Sequence, residues 1–470
     1  MSFLMAKGLP LFIGTRMYDK KTIVREIPGG TCTMMRSMWS GVAGLKTHQL
    51  EMDVIGNNIA NVNTTAYKSQ ATGFSDVLYQ TVKNGTGAGN NLATTNSSQV
   101  GLGAKVASIY TNISKSGSMQ TTNNAFDLMI TGDSFFCISP DQTTQEVNFT
   151  RDGSFTIDSD GCLVTQNNGY YVMGTMGAGD VGASATIQSP LTLISDATKT
   201  IGGTATSAAY FKGNIDSFDP SLEEGKTLRL EVFGSDGETY TLKFNITDSD
   251  DAEDNAFTMS LESVLNNDGN SIGFGGANDM NLVYDKHNGR LSTINGATAT
   301  SFTLSLTGAA SAVGPLNIDL ENTTNYAGSM SSHSSSIYGY RGDVEGLNQG
   351  YANGTMSGIS ISNDGSIHAK YTNGQTVKIA HIVVAEFSNA MGLEKVGDNL
   401  YAASLNSGDP NYMNITTDGG YMTSGVLESS NVDLAKEFTD MITTQRGFQA
   451  NSKVITTSDE MLQILKGLKR

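Results

Sequence analysis

The chain has 470 residues, a formal net charge of −17 and only three cysteines. This length exceeds what one hydrophobic core usually organises, so two or three domains are predicted. The acidic balance argues against a nucleic-acid partner, which needs clustered Lys and Arg, and three cysteines are too few for a disulfide framework. No stretch approaches about 18 consecutive apolar residues, so membrane insertion is not expected.

Residues 1–33 differ from the rest and are interpreted as an atypical N-terminal extension. They hold five basic residues against two acidic ones, and two of the seven prolines. The Pro-Gly-Gly run at 28–30 lies just upstream of Met34 and Met35, and its codons can form a purine-rich ribosome-binding sequence. We therefore expect translation to begin at Met34 or Met35. The first apolar run has no basic segment ahead of it, so a cleaved signal peptide is not expected.

Residues 34–68 are predicted to form the N-terminal helix of an inner assembly domain. A seven-residue repeat keeps one side of a helix apolar and indicates packing along another helix; its residues here are Met38, Leu45, Met52 and Ile59. The run at 57–68 is rich in Asn and Thr, which compete for backbone hydrogen bonds and end helices. Polar residues 69–100 are interpreted as an extended connector.

From residue 101 the apolar pattern alternates with period two and is broken by Asp-Gly and Asn-Gly turns, which is typical of antiparallel β-strands. We predict a β-rich domain in two parts, 101–185 and 336–424, with an outer β domain inserted at 186–335. The clearest hairpin flanks a turn at 234–237, and its predicted inward side chains are Leu228, Leu230, Val232, Tyr240, Leu242, Phe244 and Ile246.

Residues 425–470 repeat the seven-residue rhythm and are predicted to form the C-terminal helix of the inner domain. The apolar stripe is narrow, and its residues are Leu434, Phe438, Met441, Phe448, Ile455 and Leu462. Gly447 lies inside this helix and costs about 1 kcal/mol relative to Ala. The predicted fold class is α+β and multidomain, with terminal α-helices forming a coiled-coil assembly domain and two antiparallel β-rich domains between them.

One pair of terminal helices is predicted to be only marginally stable by itself. Burying about six seam side chains of the C-terminal helix contributes on the order of 10 kcal/mol. Ordering about 39 residues costs roughly 1–2 kcal/mol each in backbone entropy. We therefore expect the ends to be loose in the monomer and to become ordered when many copies surround them.

The sequence contains no pattern typical of catalysis, cofactor binding or metal binding. The five histidines share no spacing with acids or cysteines that would build a metal site or a catalytic triad. The acidic run at 248–254 lacks the Gly and the final Glu of a calcium loop and is interpreted as a solvated loop. Cys137 and Cys162 are expected to be buried thiols. No enzymatic activity and no cofactor are predicted.

Both ends of the chain resemble bacterial flagellar rod and hook axial proteins. Residues 34–68 resemble the N-terminal signature of that family, with the motif residues Asn57, Asn58, Ile59, Ala60, Asn61, Asn63 and Thr64. Residues 427–470 resemble its C-terminal counterpart, with the motif residues Gln445, Arg446, Gly447 and Phe448. The segment 354–404 is similar to the hook members of the family in particular. Ala66 departs from the pattern, because relatives often have Gly there.

The resemblance implies a structural subunit that polymerises with itself into a tube, with the terminal helices in an inner coiled-coil layer. It implies export through the flagellar type III export apparatus without a cleaved signal peptide, and an extracellular location in the hook and basal body. The implied neighbours are the distal rod protein, the hook cap protein and the hook-filament junction protein. Such a tube is a flexible universal joint that carries motor torque from rod to filament.

Two other functions are compatible with parts of the sequence. A distal rod subunit belongs to the same family, but it is shorter and lacks a large inserted domain. A secreted β-rich adhesin that oligomerises through its terminal helices would use the Arg-Gly-Asp tripeptide at 341–343, which a turn also explains. Adhesin trimers place one long continuous coiled coil in a stalk, whereas here two short seams are split between the termini.

Overall fold

The computed structural model describes residues 30–85, 87, 94–142, 146–177, 189–249, 255–276, 279–327 and 333–468. Within these residues the chain is mostly β, with few helices. Most of the extension 1–33 and of the acidic run 248–254 lies outside the described residues. The described α-helices are α1 (Gly30–Ala60), α2 (Asp196–Lys199), α3 (Ser221–Glu224) and α4 (Leu434–Leu468).

The described residues divide into two compact units, of which the first comprises those within 30–63, 68–112 and 432–468. It holds α1, α4 and the antiparallel strands β1 (Gln70–Asp76), β2 (Tyr79–Lys83), β3 (Ser98–Gly101) and β4 (Ala104–Thr111). β1 pairs with β4, and β2 pairs with β3. Residues 69–100, expected as an extended connector, thus include three paired strands, because β-branched and aromatic residues within them favour paired extended backbone.

The second unit comprises residues 64–67 and 113–431. Its first strands are short, and the central ones are largely apolar and buried on both faces, apart from half-buried Thr131. These strands are β5 (Met119–Thr121), β6 (Leu128–Thr131), β7 (Phe135–Ser139), β8 (Asn148–Thr150), β9 (Phe155–Ile157), β10 (Leu163–Thr165), β11 (Tyr171–Met176), β12 (Ser189–Pro190) and β13 (Thr200–Ile201).

The middle of the second unit contains two sheets whose inward side chains share one hydrophobic core. The strands are β14 (Ala208–Asn214), β15 (Lys226–Phe233), β16 (Thr239–Asp248), β17 (Ala256–Leu265), β18 (Ser271–Ile272), β19 (Phe274–Gly275), β20 (Met280–Tyr284), β21 (Leu291–Ile294), β22 (Ser301–Ser305), β23 (Thr307–Gly308), β24 (Pro315–Asp319), β25 (Thr323–Thr324) and β26 (Ser336–Arg341). One sheet has the order β15-β16-β17-β20-β21, and the other has the order β22-β24-β14-β25 with β26 beside β14.

The hairpin predicted around 234–237 is confirmed. β15 and β16 pair antiparallel from Lys226 opposite Ile246 to Phe233 opposite Thr239. All seven side chains predicted to point inward are buried. The turn depends on Gly237, whose φ of 79° is a left-handed conformation that only glycine adopts without strain.

The last strands of the second unit pair with its first ones, most of them within one large sheet. They are β27 (Gly354–Ile361), β28 (Ser366–Tyr371), β29 (Thr376–Ile382), β30 (Val384–Glu386), β31 (Glu394–Gly397), β32 (Leu400–Ala402), β33 (Asn411–Met413), β34 (Tyr421–Ser424) and β35 (Val426–Glu428). The main path of this sheet is β13-β27-β28-β29-β11-β7-β8-β32-β31. Strands from before and after the middle segment therefore share one sheet and its two core clusters.

Candidate assembly site

The two long helices, α1 and α4, lie antiparallel and contact each other within the first unit. Near one end, Asn58 Nδ2 donates a hydrogen bond to Glu437 Oε2 at 3.2 Å. Near the other end, the hydroxyl oxygens of Ser37 and Ser458 lie 3.4 Å apart. The helices are therefore paired over the whole span from Ser37 to Asn58.

Glycines let the two helix backbones approach closely. A Cβ atom at Gly44 would lie 2.6 Å from Asn451 Nδ2, and one at Gly447 would lie 2.7 Å from His48 Nε2. Any larger residue at either position would have to displace its neighbour's side chain. Gly447 interrupts the helix propensity of α4, but the structure shows that it is also a contact position.

The side chains buried deepest in this contact are polar rather than apolar. Asn58 is 1% exposed, Thr444 is 2% exposed and Glu437 is 8% exposed. Burial raises the pKa of the Glu437 carboxyl, because desolvation disfavours its charged form, and the hydrogen bond from Asn58 opposes that rise. A buried carboxylate of this kind needs a donor, and Asn58 supplies one.

Asn58 also ties the helix pair to the strand that follows. Its Nδ2 donates to the backbone oxygen of Gln70 at 2.8 Å, and its Oδ1 accepts from the Gln70 backbone N–H at 2.9 Å. The amide thus satisfies both backbone groups of the first residue of β1 while it reaches Glu437. One motif residue therefore connects α1, β1 and α4.

The apolar seam predicted from the sequence borders this contact. Leu434 and Phe438 are 39% and 50% exposed. The other predicted seam residues are half-buried, namely Met38, Leu45, Met52, Ile59, Met441, Phe448, Ile455 and Leu462. Ile455 packs toward α1, where a Cβ atom at Gly41 would lie 3.2 Å from its Cγ1. Much of the stripe is therefore left uncovered by the chain's own helices.

Large apolar side chains are exposed along both helices. Trp39 is 67% exposed, and Ile442 and Ile464 are 54% and 64% exposed. Further apolar side chains at least 38% exposed are Met35, Leu50, Val454, Met461, Leu465 and Leu468. An apolar surface of this extent marks an interaction site, because isolated soluble chains rarely leave so much uncovered.

The remaining motif residues close the end of α1. The Asn61 backbone N–H donates to the Asn57 oxygen at 3.2 Å, and Asn61 Nδ2 reaches Asn57 Oδ1 at 2.9 Å. The Asn61 side chain thus caps the end of the helix after Ala60, because its Nδ2 also donates to the Asn57 backbone oxygen at 3.0 Å. Exposed Asn63 and half-buried Thr64 follow a few residues later. Of the C-terminal motif, Gln445 and Arg446 are exposed on α4.

Ala66 adopts a left-handed backbone conformation, with a φ of 54°. It is 2% exposed, and its N–H donates to the Glu428 backbone oxygen at 2.7 Å. The conformation explains why glycine suits this position in relatives, and why alanine, the smallest residue with a Cβ, is tolerated.

The left-handed conformation of Ala66 should determine how substitutions there change the free energy of unfolding. Ala66→Gly relieves the left-handed strain but loses a buried methyl and adds unfolded-state entropy, so we expect the free energy of unfolding to change by less than about 1 kcal/mol. Ala66→Val should cost at least about 2 kcal/mol, because a β-branched side chain is strained at positive φ. Urea denaturation followed by circular dichroism measures both. Equal stability of the two variants would contradict this account.

Several small and polar residues of the contact between α1 and α4 were not predicted from the sequence. A second seven-residue repeat runs beside the apolar one and consists of small or polar residues. On α4 it comprises Glu437, Thr444, Asn451 and Ser458, and on α1 it comprises Ser37, Gly44, Glu51 and Asn58. A search for helix positions that permit close approach, rather than for apolar positions, would have found it.

Other candidate chemistry has local structural explanations. The Arg341 guanidinium lies over the Phe233 ring at 4.2 Å, and the Asp343 carboxylate accepts from the Leu347 N–H and Asn348 Nδ2. The Arg-Gly-Asp tripeptide thus holds a turn. Across the part of the chain that the structure describes, no group of His, Cys, Asp and Glu has the arrangement of a metal site. No helix among the described residues is long and apolar enough to cross a membrane.

Three family models match separate parts of the chain. They are described as Flagella basal body rod protein for residues 38–68, Flagellar hook protein FlgE/F/G D1 domain for residues 129–201, and Flagellar basal body rod FlgEFG protein C-terminal for residues 423–468. The first and third models cover most of α1 and α4, which form the helix contact. These matches, with the paired terminal helices, define the chain as a structural protein of the bacterial flagellum.

Comparison with whole proteins identifies the family. The hook proteins FlgE of Treponema pallidum and Borreliella burgdorferi are 33% and 34% identical, and each alignment covers 93% of this chain and all of the relative. The basal-body rod protein FlgG of Bacillus subtilis is 30% identical over the same shares. The chain belongs to the flagellar hook and basal-body rod protein family. The higher identity to the two hook proteins favours the hook over the rod, so it is a structural hook subunit and not an enzyme.

Proposed function

We propose that the subunit polymerises through the apolar stripe of α1 and α4, which faces the helices of neighbouring copies in a coiled-coil layer. The observation that carries this proposal is the partial exposure of the stripe within a single chain, with Phe438 50% exposed. Neighbouring copies supply apolar surface that the chain itself lacks. The seam residues Met38, Leu45, Met52, Ile59, Leu434, Phe438, Met441, Phe448, Ile455 and Leu462 are then buried between subunits.

The proposal explains how a helix pair of low stability in the single chain can transmit torque in the polymer. The contact between α1 and α4 buries small and polar side chains, which contribute less hydrophobic free energy than Leu or Phe. The first unit therefore gains most of its order on assembly, as in coupled folding and binding. The resulting tube is a flexible universal joint that transmits torque from the rod to the filament.

Family membership supports a proposal for the neighbouring structures and for the export route. The tube joins the distal rod protein at one end and the hook-filament junction protein at the other, and it grows beneath the hook cap protein. Subunits leave the cell through the flagellar type III export apparatus without a cleaved signal peptide. The polymer is extracellular and continuous with the basal body.

Removing α4 tests the proposal. A chain ending at Asn431 keeps the complete second unit, including β35, but loses half of the helix pair. We expect a soluble monomer that retains the β circular dichroism signal and forms no tubes under conditions in which the full chain does. Negative-stain microscopy and analytical ultracentrifugation provide the measurement. Curved tubes formed by the truncated chain would refute it, and discrete trimers of the full chain would favour the adhesin instead.

A further inference from the structure

The contacts between α1 and α4 follow a single antiparallel register. Asn58 on α1 lies opposite Glu437 on α4. His48 is ten residues before Asn58, and it lies opposite Gly447, which is ten residues after Glu437. Four further residues lead to Gly44 opposite Asn451. Seven more lead to Ser37 opposite Ser458. Every observed pair therefore belongs to the same alignment of the two helices.

The small residues in this contact do not by themselves select that register. They recur every seven residues on both helices, so a slip by seven residues, roughly 10 Å at 1.5 Å per residue, again sets small groups against each other. In one direction a slip places Ser37 opposite Asn451, and in the other it places Glu51 opposite Asn451. Both slips place a residue larger than Gly44 opposite Asn451, so they require Asn451 to change rotamer. Because Asn451 has a flexible side chain, size opposes the slips without selecting the observed register by itself.

Asn58 and Glu437 distinguish the register that is observed. A slip in one direction sets Glu51 opposite Glu437, so that two carboxylates meet. A slip in the other direction sets Asn58 opposite Thr444 and removes the amide donor from Glu437. Because Glu437 is only 8% exposed, losing its donor leaves a desolvated carboxylate uncompensated.

The Asn58 side chain is also held in place by a residue outside the two helices. The Asn58 side chain is held by two hydrogen bonds to the backbone of Gln70, at 2.8 and 2.9 Å. Its amide therefore has a defined orientation, with Nδ2 directed toward α4. A rigid buried polar group of this kind is the device by which helix pairs specify register.

We infer that Asn58 and Glu437 set the register of α1 against α4 and thereby determine which apolar side chains align to receive a second copy of the chain. The inference rests on the proposed assembly function, because a register matters only if the aligned stripe is used. Asn58 and Glu437 are positioning residues. They influence the second copy indirectly, by setting the alignment of α1 and α4.

Cysteine pairs report the register directly in assembled tubes. In a Cys32→Ser background, Ser37→Cys with Ser458→Cys reports the observed register. Ser37→Cys with Asn451→Cys reports one slip, and Glu51→Cys with Asn451→Cys reports the other. Each reporter chain is mixed at about one part in ten with unmodified chain, so that neighbouring copies hold it in the tube. Intrachain disulfides are then quantified by mass spectrometry.

Adding Asn58→Ala and Glu437→Ala should raise the ratio of slipped to native cross-links at least tenfold. Glu437→Gln, which can still accept the Asn58 hydrogen bond, should retain the native cross-link. The matched control is Gln49→Ala with Thr443→Ala, two exposed positions on the same helices, and should not change the ratio. An unchanged ratio in the double alanine variant would overturn the inference. The inference would also be overturned if the double alanine variant did not enter the tubes while the control variant did. Asn58 and Glu437 would then be needed for packing of the helices rather than for their register. Failure of the unmodified chain to form tubes refutes the proposed function instead.

Discussion

Phe448→Asp and Ile455→Asp should each abolish tube formation while leaving the second unit folded. Both side chains are half-buried in the single chain, so a carboxylate there keeps some contact with water before assembly. In the polymer that we propose, the same position is covered by neighbouring helices, where an unpaired buried charge costs several kcal/mol per copy. Because the penalty repeats in every subunit, we expect no tubes by negative-stain microscopy.

The matched control for these variants is Thr443→Asp, which adds the same charge to an exposed position on the opposite side of α4. It should assemble normally. Circular dichroism and urea denaturation of the soluble chains separate a loss of assembly from a loss of folding. Normal tubes from Phe448→Asp would show that this side chain does not lie between subunits and would contradict the proposed seam.

Arg151→Met should lower the free energy of unfolding of the second unit by about 1–3 kcal/mol, the range found when a buried hydrogen-bond acceptor loses its donor. Arg151 is 2% exposed, and its Nη2 donates to the Gly132 backbone oxygen at 2.6 Å. Its guanidinium lies 4.9 Å from the centre of the Phe135 ring. Burial lowers the pKa of this group, and the nearby Glu428 carboxylate opposes that shift.

The Glu428 side chain is also 2% exposed, and its Oε1 accepts the Gly117 backbone N–H at 2.7 Å. The Arg151 cation attracts this carboxylate through space, so its removal takes away a favourable electrostatic interaction as well as the hydrogen bond to Gly132. Adding Glu428→Gln to Arg151→Met should recover part of the stability, since the amide oxygen can still accept from Gly117.

Urea denaturation of the soluble full-length chain measures these effects. Arg229→Met is the matched control, because Arg229 is exposed on β15 and its removal should change the free energy of unfolding by less than about 0.5 kcal/mol. A similar small change for Arg151→Met would show that the buried guanidinium contributes little.

Local patterns in the sequence predicted several elements directly. The hairpin of β15 and β16 follows from alternating apolar residues around a Gly-containing turn, since period two and turn chemistry are both local properties. The terminal helices follow from the seven-residue repeat. The α4 helix begins only at Leu434, nine residues after the predicted start at 425, because Val426–Glu428 forms β35 and pairs with β5. The motif at 57–64 indicated the end of α1 because its Asn residues compete for backbone hydrogen bonds.

The partner of each motif residue could not be predicted in the same way. Asn58 was recognised as part of a motif, but its hydrogen-bond partner Glu437 is 379 residues away in the chain. No local property connects them. Gly447 appeared as a weak point in a helix, whereas the structure places His48 against it, and only the approach of α1 makes glycine necessary there.

The sequence by itself determined the presence of the two terminal helices, the hairpin of β15 and β16, and an apolar stripe on each terminal helix. Only the structure showed the left-handed backbone at Ala66 and the strands within the expected connector. The tertiary structure decided which face of each helix meets the other. On α1, each small or polar residue of the contact directly precedes a residue of the apolar stripe, as Asn58 precedes Ile59. The two sets of residues therefore lie about 100° apart around the helix axis. Hydrophobic periodicity identifies a face that avoids water, but close packing requires small residues and satisfied polar groups. The contact within the chain therefore centres on a different row of α1 from the apolar row that we propose faces neighbouring copies.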